Sequence, residues 1–239
     1  MRFYSRPAAG SVPRQADVIP VADVNLGSWR LVLERRPMSE GALALAYSLA
    51  APRWDRLLSR IGFEAGYLAL LRRHGIRGER VLEAGAGTGA FAAALAALVG
   101  PTFAVEGIDI SEGMLRRALE RWRGLGLEAT GRVGDIRALP FPDQTFDLVL
   151  AGHVLEHLPD PKGAALELLR VLRPGGVLVA VVTRKSLLGR YIQWRWRTRC
   201  FDVETLRDLF PAEARVDVVP LPGPKPCGWL SLACLVRRS

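Results

Sequence analysis

The run Val81-Leu82-Glu83-Ala84-Gly85-Ala86-Gly87-Thr88-Gly89 constrains the fold more than any other stretch of the chain. A short apolar strand ends in three alternate glycines, and alanine-rich, helix-favouring sequence follows to Val99. Such a turn lets the backbone bend sharply and brings main-chain N–H groups at a helix start within reach of a ligand. The same alternation then repeats. Phe103 to Ile110 reads as a second strand, Glu112 to Arg123 as a helix with Ser111 as its N-cap, and Thr130 to Asp135 as a third strand. Phe146 to Ala151, bounded by Pro142-Asp143-Gln144, is a fourth strand. Pro161 to Leu172 is a helix capped by Asp160, with proline at its first position. Arg173-Pro174-Gly175-Gly176 ends that helix, and Val177 to Val182 is apolar throughout, as a strand covered on both faces should be. A helix near Val203 to Phe210 and strands near Val216 to Val219 and Leu230 to Val236 complete the pattern. Strand alternating with helix requires crossover connections and a parallel sheet, so the chain is expected to be α/β and doubly wound.

Three segments are expected. Residues 1–40 are weakly patterned, punctuated by Pro7, Pro13, Pro20 and Pro37, and read as an N-terminal extension. Residues 41–77 carry leucines and aromatics at spacings of mostly three and four, cut by Pro52 and Gly62, and read as a helical cap. Tyr47 and Trp54 are its candidate pocket walls. Residues 78–239 form the main domain.

Composition narrows the class of protein. Hydrophobic residues at 49% and charged residues at 24% exclude disorder over most of the chain. The net charge of +9 comes from 33 Lys and Arg against 24 Asp and Glu, yet the lysines are Lys162, Lys185 and Lys225 alone. An arginine skew of that kind matches a GC-rich genome, so the charge is not by itself read as a binding surface. Cys200, Cys227 and Cys234 make no disulfide framework, no metal pattern and no catalytic thiol, and fit a reducing compartment. Ala84 to Val105 lacks any charge, but its glycines, Pro101 and many alanines make a poor membrane span. No apolar core follows Arg2 and Arg6 as a secretory signal would require. A soluble, cytoplasmic protein is expected.

The glycine loop alone fits two cofactor classes. With Ala90 it satisfies the loose dinucleotide form G-x-G-x-x-G/A. Asp109, ending the second strand, can accept ribose hydroxyls from either class. Glu83 separates them, because a carboxylate beside a pyrophosphate is repelled whereas a cationic amino-acid cofactor favours it. Glu83 to Gly89 resembles the first motif, E/D-x-G-x-G-x-G, of class I S-adenosylmethionine-dependent methyltransferases. Gly107-Ile108-Asp109-Ile110-Ser111 with Met114-Leu115 resembles their second, and Gly134 to Phe141 their third. Phe146-Asp147-Leu148-Val149 with Val154-Leu155-Glu156-His157-Leu158 resembles the fourth, and Leu172 to Gly176 the turn before strand five. The match covers residues 78 to 183 in order and spacing.

The resemblance implies a mostly parallel, seven-stranded Rossmann-like sheet and S-adenosyl-L-methionine as cofactor. It implies that Gly85, Ala86, Gly87 and Gly89 surround the methionine moiety, with Glu83 close behind. Asp109 would bind the ribose, Ile110 and Met114 would pack beside the adenine, Asp135 would take the adenine N6, and Ile136 would offer a backbone contact. The implied activity is methyl transfer to a small, apolar or aromatic acceptor at oxygen, nitrogen or carbon. A phospholipid methyltransferase and a non-catalytic cofactor-binding protein are the rival readings.

Chemistry at the acceptor falls to the end of the fourth strand. His153 is the candidate general base or acceptor-orienting donor, since imidazole titrates near neutrality. His157 is a second candidate. His153, Glu156 and His157 also resemble an E-x-x-E-H metal segment of some quinone-pathway O-methyltransferases, but the first acid is histidine and no fourth ligand is identifiable, so no metal is expected. Residues 184–199 hold six basic residues and no acid, interleaved with Tyr191, Trp194 and Trp196. They read as a solvated helix whose aromatics close the pocket, as a peripheral membrane contact, or, least favoured, as a nucleic-acid contact.

Overall fold

The computed structural model describes residues 2–5, 19–26, 29–35, 41–42, 45 and, apart from 197 and 225, 62–238. The candidate pocket walls Tyr47 and Trp54 lie outside the described residues. The N-terminal stretch holds three strands, β1 (Arg2–Ser5), β2 (Ile19–Leu26) and β3 (Trp29–Arg35), in an antiparallel sheet of order β1-β3-β2. Helix α1 (Phe63–His74) follows, with Gly62 at its N-terminus as the cut in the helical pattern requires.

The main sheet is built from β4 (Arg80–Ala84), β5 (Ala104–Asp109), β6 (Glu128–Val133), β7 (Phe146–Gly152), β8 (Leu172–Thr183), β9 (Arg215–Pro220) and β10 (Ser231–Arg237). Its order is β6-β5-β4-β7-β8-β10-β9. The first five pair in parallel, and β10 runs antiparallel to both β8 and β9. This is the expected seven-stranded, mostly parallel, doubly wound sheet. Helices α2 (Ala90–Val99), α3 (Glu112–Gly124), α4 (Pro161–Val171), α5 (Leu187–Trp196), α6 (Val203–Arg207) and α7 (Cys227–Leu230) interleave with these strands.

Alternation along the strands divides the core into two layers. Val81, Leu148, Leu150, Val179, Val181 and Leu235 join α1, α2 and α3 on one face. Leu82, Val149, Ala151, Leu178, Ala180 and Val182 join α4 and α6 on the other. Two helix starts are capped as their sequences require: Ser111 Oγ accepts from Met114 N–H at 3.2 Å, and Asp160 Oδ1 from Gly163 N–H at 3.0 Å.

The structure corrects the sequence in two places. Arg173 to Gly176 does not precede the fifth strand but sits inside it: Leu172 pairs with Phe146, the register then shifts, and Val177 pairs with Leu148. The helix expected to reach Phe210 ends at Arg207, where its Asp202 capping box starts a single short turn.

One contact locks the glycine turn to its helix layer. Trp122 is fully buried and donates its indole N–H to the Gly89 carbonyl at 2.9 Å. Gly89 has φ +76°, and a Cβ there would lie 2.5 Å from Trp122 Nε1 and 3.0 Å from the Ala118 Cα. Left-handed strain and overpacking therefore combine at one position. Gly89→Ala is expected to destabilise the fold by about 2–4 kcal/mol, read as a lowered urea midpoint with an unchanged slope.

Candidate active site

The carboxyl ends of β4, β5, β7 and β8 open onto a cavity of about 290 Å³. One wall is the glycine loop and the acids that hold it. Gly85 and Ala86 N–H both donate to the Ile108 carbonyl, at 2.8 and 3.0 Å, which turns the loop across the end of β5. Asp109 then closes it: Oδ2 accepts from Gly87 N–H and Oδ1 from Ser111 N–H, each at 2.8 Å. Burial raises the Asp109 carboxyl, more than those two N–H groups lower it. Gly87 has φ +53° and open space where a Cβ would stand, so the loop leaves a cradle at this point.

Glu83 lies behind the loop, 3% exposed, and receives Phe91 N–H at 3.3 Å and Ala92 N–H at 2.7 Å. It thereby satisfies the first-turn amides of α2. Burial raises its carboxyl to about 8, against the lowering effect of those amides. Ile110, Met114, Asp135 and Ile136 reach the same wall. Burial would raise Asp135, but the guanidinium and N–H of Arg137 outweigh it and hold the carboxyl below its ordinary value. Of the ten residues the sequence assigns to the cofactor, nine line the cavity. Gly89 does not: it is packed under Trp122, so its requirement is steric and internal.

The opposite wall carries the histidines. His153 follows β7 with φ +56°, a conformation uncommon outside glycine, and its N–H donates to the Val181 carbonyl at 2.7 Å. Its Nδ1 is 2.9 Å from Glu156 Oε1, its Nε2 is 3.3 Å from Ser231 Oγ, and the Phe63 ring meets it at 4.6 Å. Glu156 is 1% exposed, and its Oε1 also accepts from Thr183 N–H and Oγ1–H at 3.2 and 2.8 Å. Burial raises Glu156, yet the charge and hydrogen bond of His153, with His157 and Thr183, bring it below its ordinary value. An ionised carboxylate only accepts, so Nδ1 of His153 carries a proton, and Nε2 is the ring nitrogen beside Ser231. His157 lines the cavity too, where burial pulls its imidazole below the usual value despite Glu156.

Two buried atoms on this wall, Glu156 Oε2 and Thr198 Oγ1, have no hydrogen-bond partner among the described residues. Among the described residues no three His, Cys, Asp or Glu side chains are grouped to hold a metal ion. Burial pushes the thiols of Cys200 and Cys234 up to about 12, which keeps both protonated near neutrality.

Sequence reasoning missed Phe63, Tyr67, Thr183, Ile192, Thr198, Leu230 and Ser231 as cavity residues. Phe63 and Tyr67 sit four apart on α1, and Tyr67 stacks on Phe91 of α2 at 4.1 Å, so helical spacing did carry a signal for them. Ser231 and Thr198 carried none, because they arrive from distant segments.

Residues 82–180 match the family model described as a methyltransferase domain. The demethylmenaquinone methyltransferase of Staphylococcus aureus is 38% identical over 146 residues, a stretch that spans 59% of this chain and 60% of that protein's length. A SAM-dependent methyltransferase from Thermotoga maritima superimposes with a TM-score of 0.60 at 23% identity, covering 80% of this chain and 98% of its own. SpnF, a cyclase, superimposes at 0.67 and 21% identity, covering 84% and 97%. By fold and motif the chain is similar to the class I S-adenosylmethionine-dependent methyltransferases. One of its structural neighbours is a cyclase, so activity has to be argued from the site rather than the fold.

Glu83 makes stability depend on pH. A carboxyl near 8 in the folded chain and 4.5 as its ordinary value binds its proton more tightly when folded. Its stabilising contribution is full below 4.5 and is lost as pH rises through 8. Thermal unfolding of the wild type is therefore expected at progressively lower temperature from pH 5 to pH 8 relative to Glu83→Gln, in which that dependence is absent.

Proposed function

We propose that this chain transfers a methyl group from S-adenosyl-L-methionine to a small, apolar or aromatic acceptor bearing a hydroxyl or N–H group, with His153 taking the acceptor's proton. The observation that carries the reading is that His153, held by Glu156, faces the glycine-loop wall across a single cavity. Gly85, Ala86 and Gly87 hold the methionine portion, Asp109 the ribose, Ile110 and Met114 the adenine face, and Asp135 with Ile136 its edge. The open cradle at Gly87 and the apolar flank of Ile110 and Met114 suit that occupant. Glu83 gives the wall a carboxyl that favours a cationic ligand. Residues 41–77 act as the cap, contributing Phe63 and Tyr67.

Bound S-adenosylmethionine supplies an electrophilic methyl group on a sulfonium, so the protein's task is positioning and proton removal. Nε2 of His153 accepts the acceptor's proton, and the resulting imidazolium is stabilised by Glu156 at 2.9 Å. Ser231, within 3.3 Å of Nε2, holds that nitrogen's lone pair until the acceptor enters. An unpartnered, ionised oxygen such as Glu156 Oε2 costs about 1–3 kcal/mol or more when buried, and a ligand that donates a hydrogen bond relieves it. That is why the acceptor is assigned a donor group. Phe63, Leu158, Ile192 and Leu230 give the remaining surface its apolar character. The demethylmenaquinone methyltransferase relative supports a hydroxylated ring as the first acceptor class to test.

Calorimetric titration is expected to show binding of S-adenosylmethionine and S-adenosylhomocysteine but not of NAD; binding of neither would remove the methyltransferase reading. Asp109→Ala should weaken that binding by roughly 10- to 150-fold, the value of charge-assisted hydrogen bonds. His153→Ala should leave cofactor affinity intact and lower kcat on a quinol or phenol by about 10²- to 10⁴-fold. A rise in KM alone would make His153 a positioning residue.

A further inference from the structure

The outward side of α5 carries several large apolar side chains in the open. Leu187 is 88% exposed, Tyr191 60% and Trp194 51%, and Leu188 is also exposed. At 100° per residue, Leu187, Tyr191 and Trp194 fall within an arc of about 60°, and Leu188 lies about 60° beyond it. The inward side is different: Gly189 and Gln193 are buried, and Ile192 reaches the cavity. The same helix therefore forms part of the cavity wall and a ridge of apolar side chains on the outside. Trp229, 58% exposed, precedes Leu230, which also lines the cavity and whose carbonyl accepts from Arg184 N–H.

The charges carried by this segment have one sign. No acid occurs from residue 184 to 201. Arg184, Lys185 and Arg190 are exposed, and Lys185 meets Asp202 at 3.3 Å. Aromatic and leucine side chains in a plane, flanked by cations, match the boundary between acyl chains and anionic headgroups. Water alone does not favour this much exposed apolar surface on one helix.

We infer that α5 docks on the surface of an anionic phospholipid bilayer, with Leu187, Leu188, Tyr191 and Trp194 entering the acyl boundary and Arg184 and Arg190 facing the headgroups. The cavity then lies behind the docked helix, with Ile192 on its inner side. An acceptor partitioned in the bilayer would reach it without crossing water. The inference concerns a surface rather than the methylation chemistry, and its test is a binding measurement that does not require turnover.

Flotation with phosphatidylcholine vesicles, with and without phosphatidylglycerol, tests it on the full chain. The protein is expected to float with the anionic vesicles, less with the neutral ones, and less as salt is raised. Leu187→Ser/Tyr191→Ser/Trp194→Ser should lower the partition coefficient by at least about tenfold, as expected from losing three apolar anchors. Arg184→Gln/Arg190→Gln should remove the preference for anionic vesicles while retaining the residual binding. S-adenosylmethionine affinity, measured in parallel, reports whether the variants fold and whether the cofactor reading stands, so the two ideas fail separately. Absence of wild-type flotation would overturn the inference. So would flotation that survives the apolar variant, or a wild-type dimer that the same variant turns into monomer, which would assign the ridge to a second copy of the chain.

Discussion

Carboxylates receiving backbone N–H groups are the interaction on which the rest of the site depends. A turn from strand to helix leaves several amides without helical partners, and in a buried setting each needs an acceptor. Here Asp109 takes Gly87 and Ser111, while Glu83 takes Phe91 and Ala92. The two acids come from the ends of adjacent parallel strands, so the pairing of β4 with β5 sets the shape of the loop. Asp147 does the same at the other end of the sheet, receiving both Glu79 and Arg80 N–H at 3.1–3.2 Å and tying β7 to the start of β4.

Glu156 plays the corresponding part on the facing wall, at greater cost. Its Oε1 gathers His153 and Thr183 into one network while Oε2 is left buried and unpaired. His153 reaches that network only by adopting a left-handed backbone. Strain and an unsatisfied charge at adjoining positions are what a site prepared for a ligand looks like, whereas a region selected only for stability would relax both. The 3% exposure of Glu83 and its carboxyl raised to about 8 fit the same view, since burial favours the uncharged form there.

Much of this was legible because it is local. Ser111 and Asp160 cap their helices three residues ahead, Gly62 cuts the helical pattern where α1 begins, and the unbroken apolar run Val177 to Val182 marks a strand covered on both faces. The misreadings also have physical reasons. Arg173 to Gly176 carries turn residues, yet the strand absorbs them as a register shift because Leu172 keeps its pairing with Phe146. Gly89 belongs to a ligand-loop motif, yet its small size is required by Trp122. The three N-terminal strands show little periodicity, and only pairing between distant segments assembles them.

The sequence by itself determined the doubly wound sheet, the glycine loop with its two acids, and the presence of His153 and Glu156 at the end of the fourth strand of that sheet. Each of these is written in residues a few positions apart, where strand period, helix caps and turn chemistry operate. Only the tertiary structure decided which groups face them. It brought Ser231 across 78 residues to His153, Thr183 across 27 to Glu156, and the inner side of α5 to the cavity while its apolar side points outward. Contacts of that kind follow from sheet order and helix rotation, and those are set by how the whole core packs.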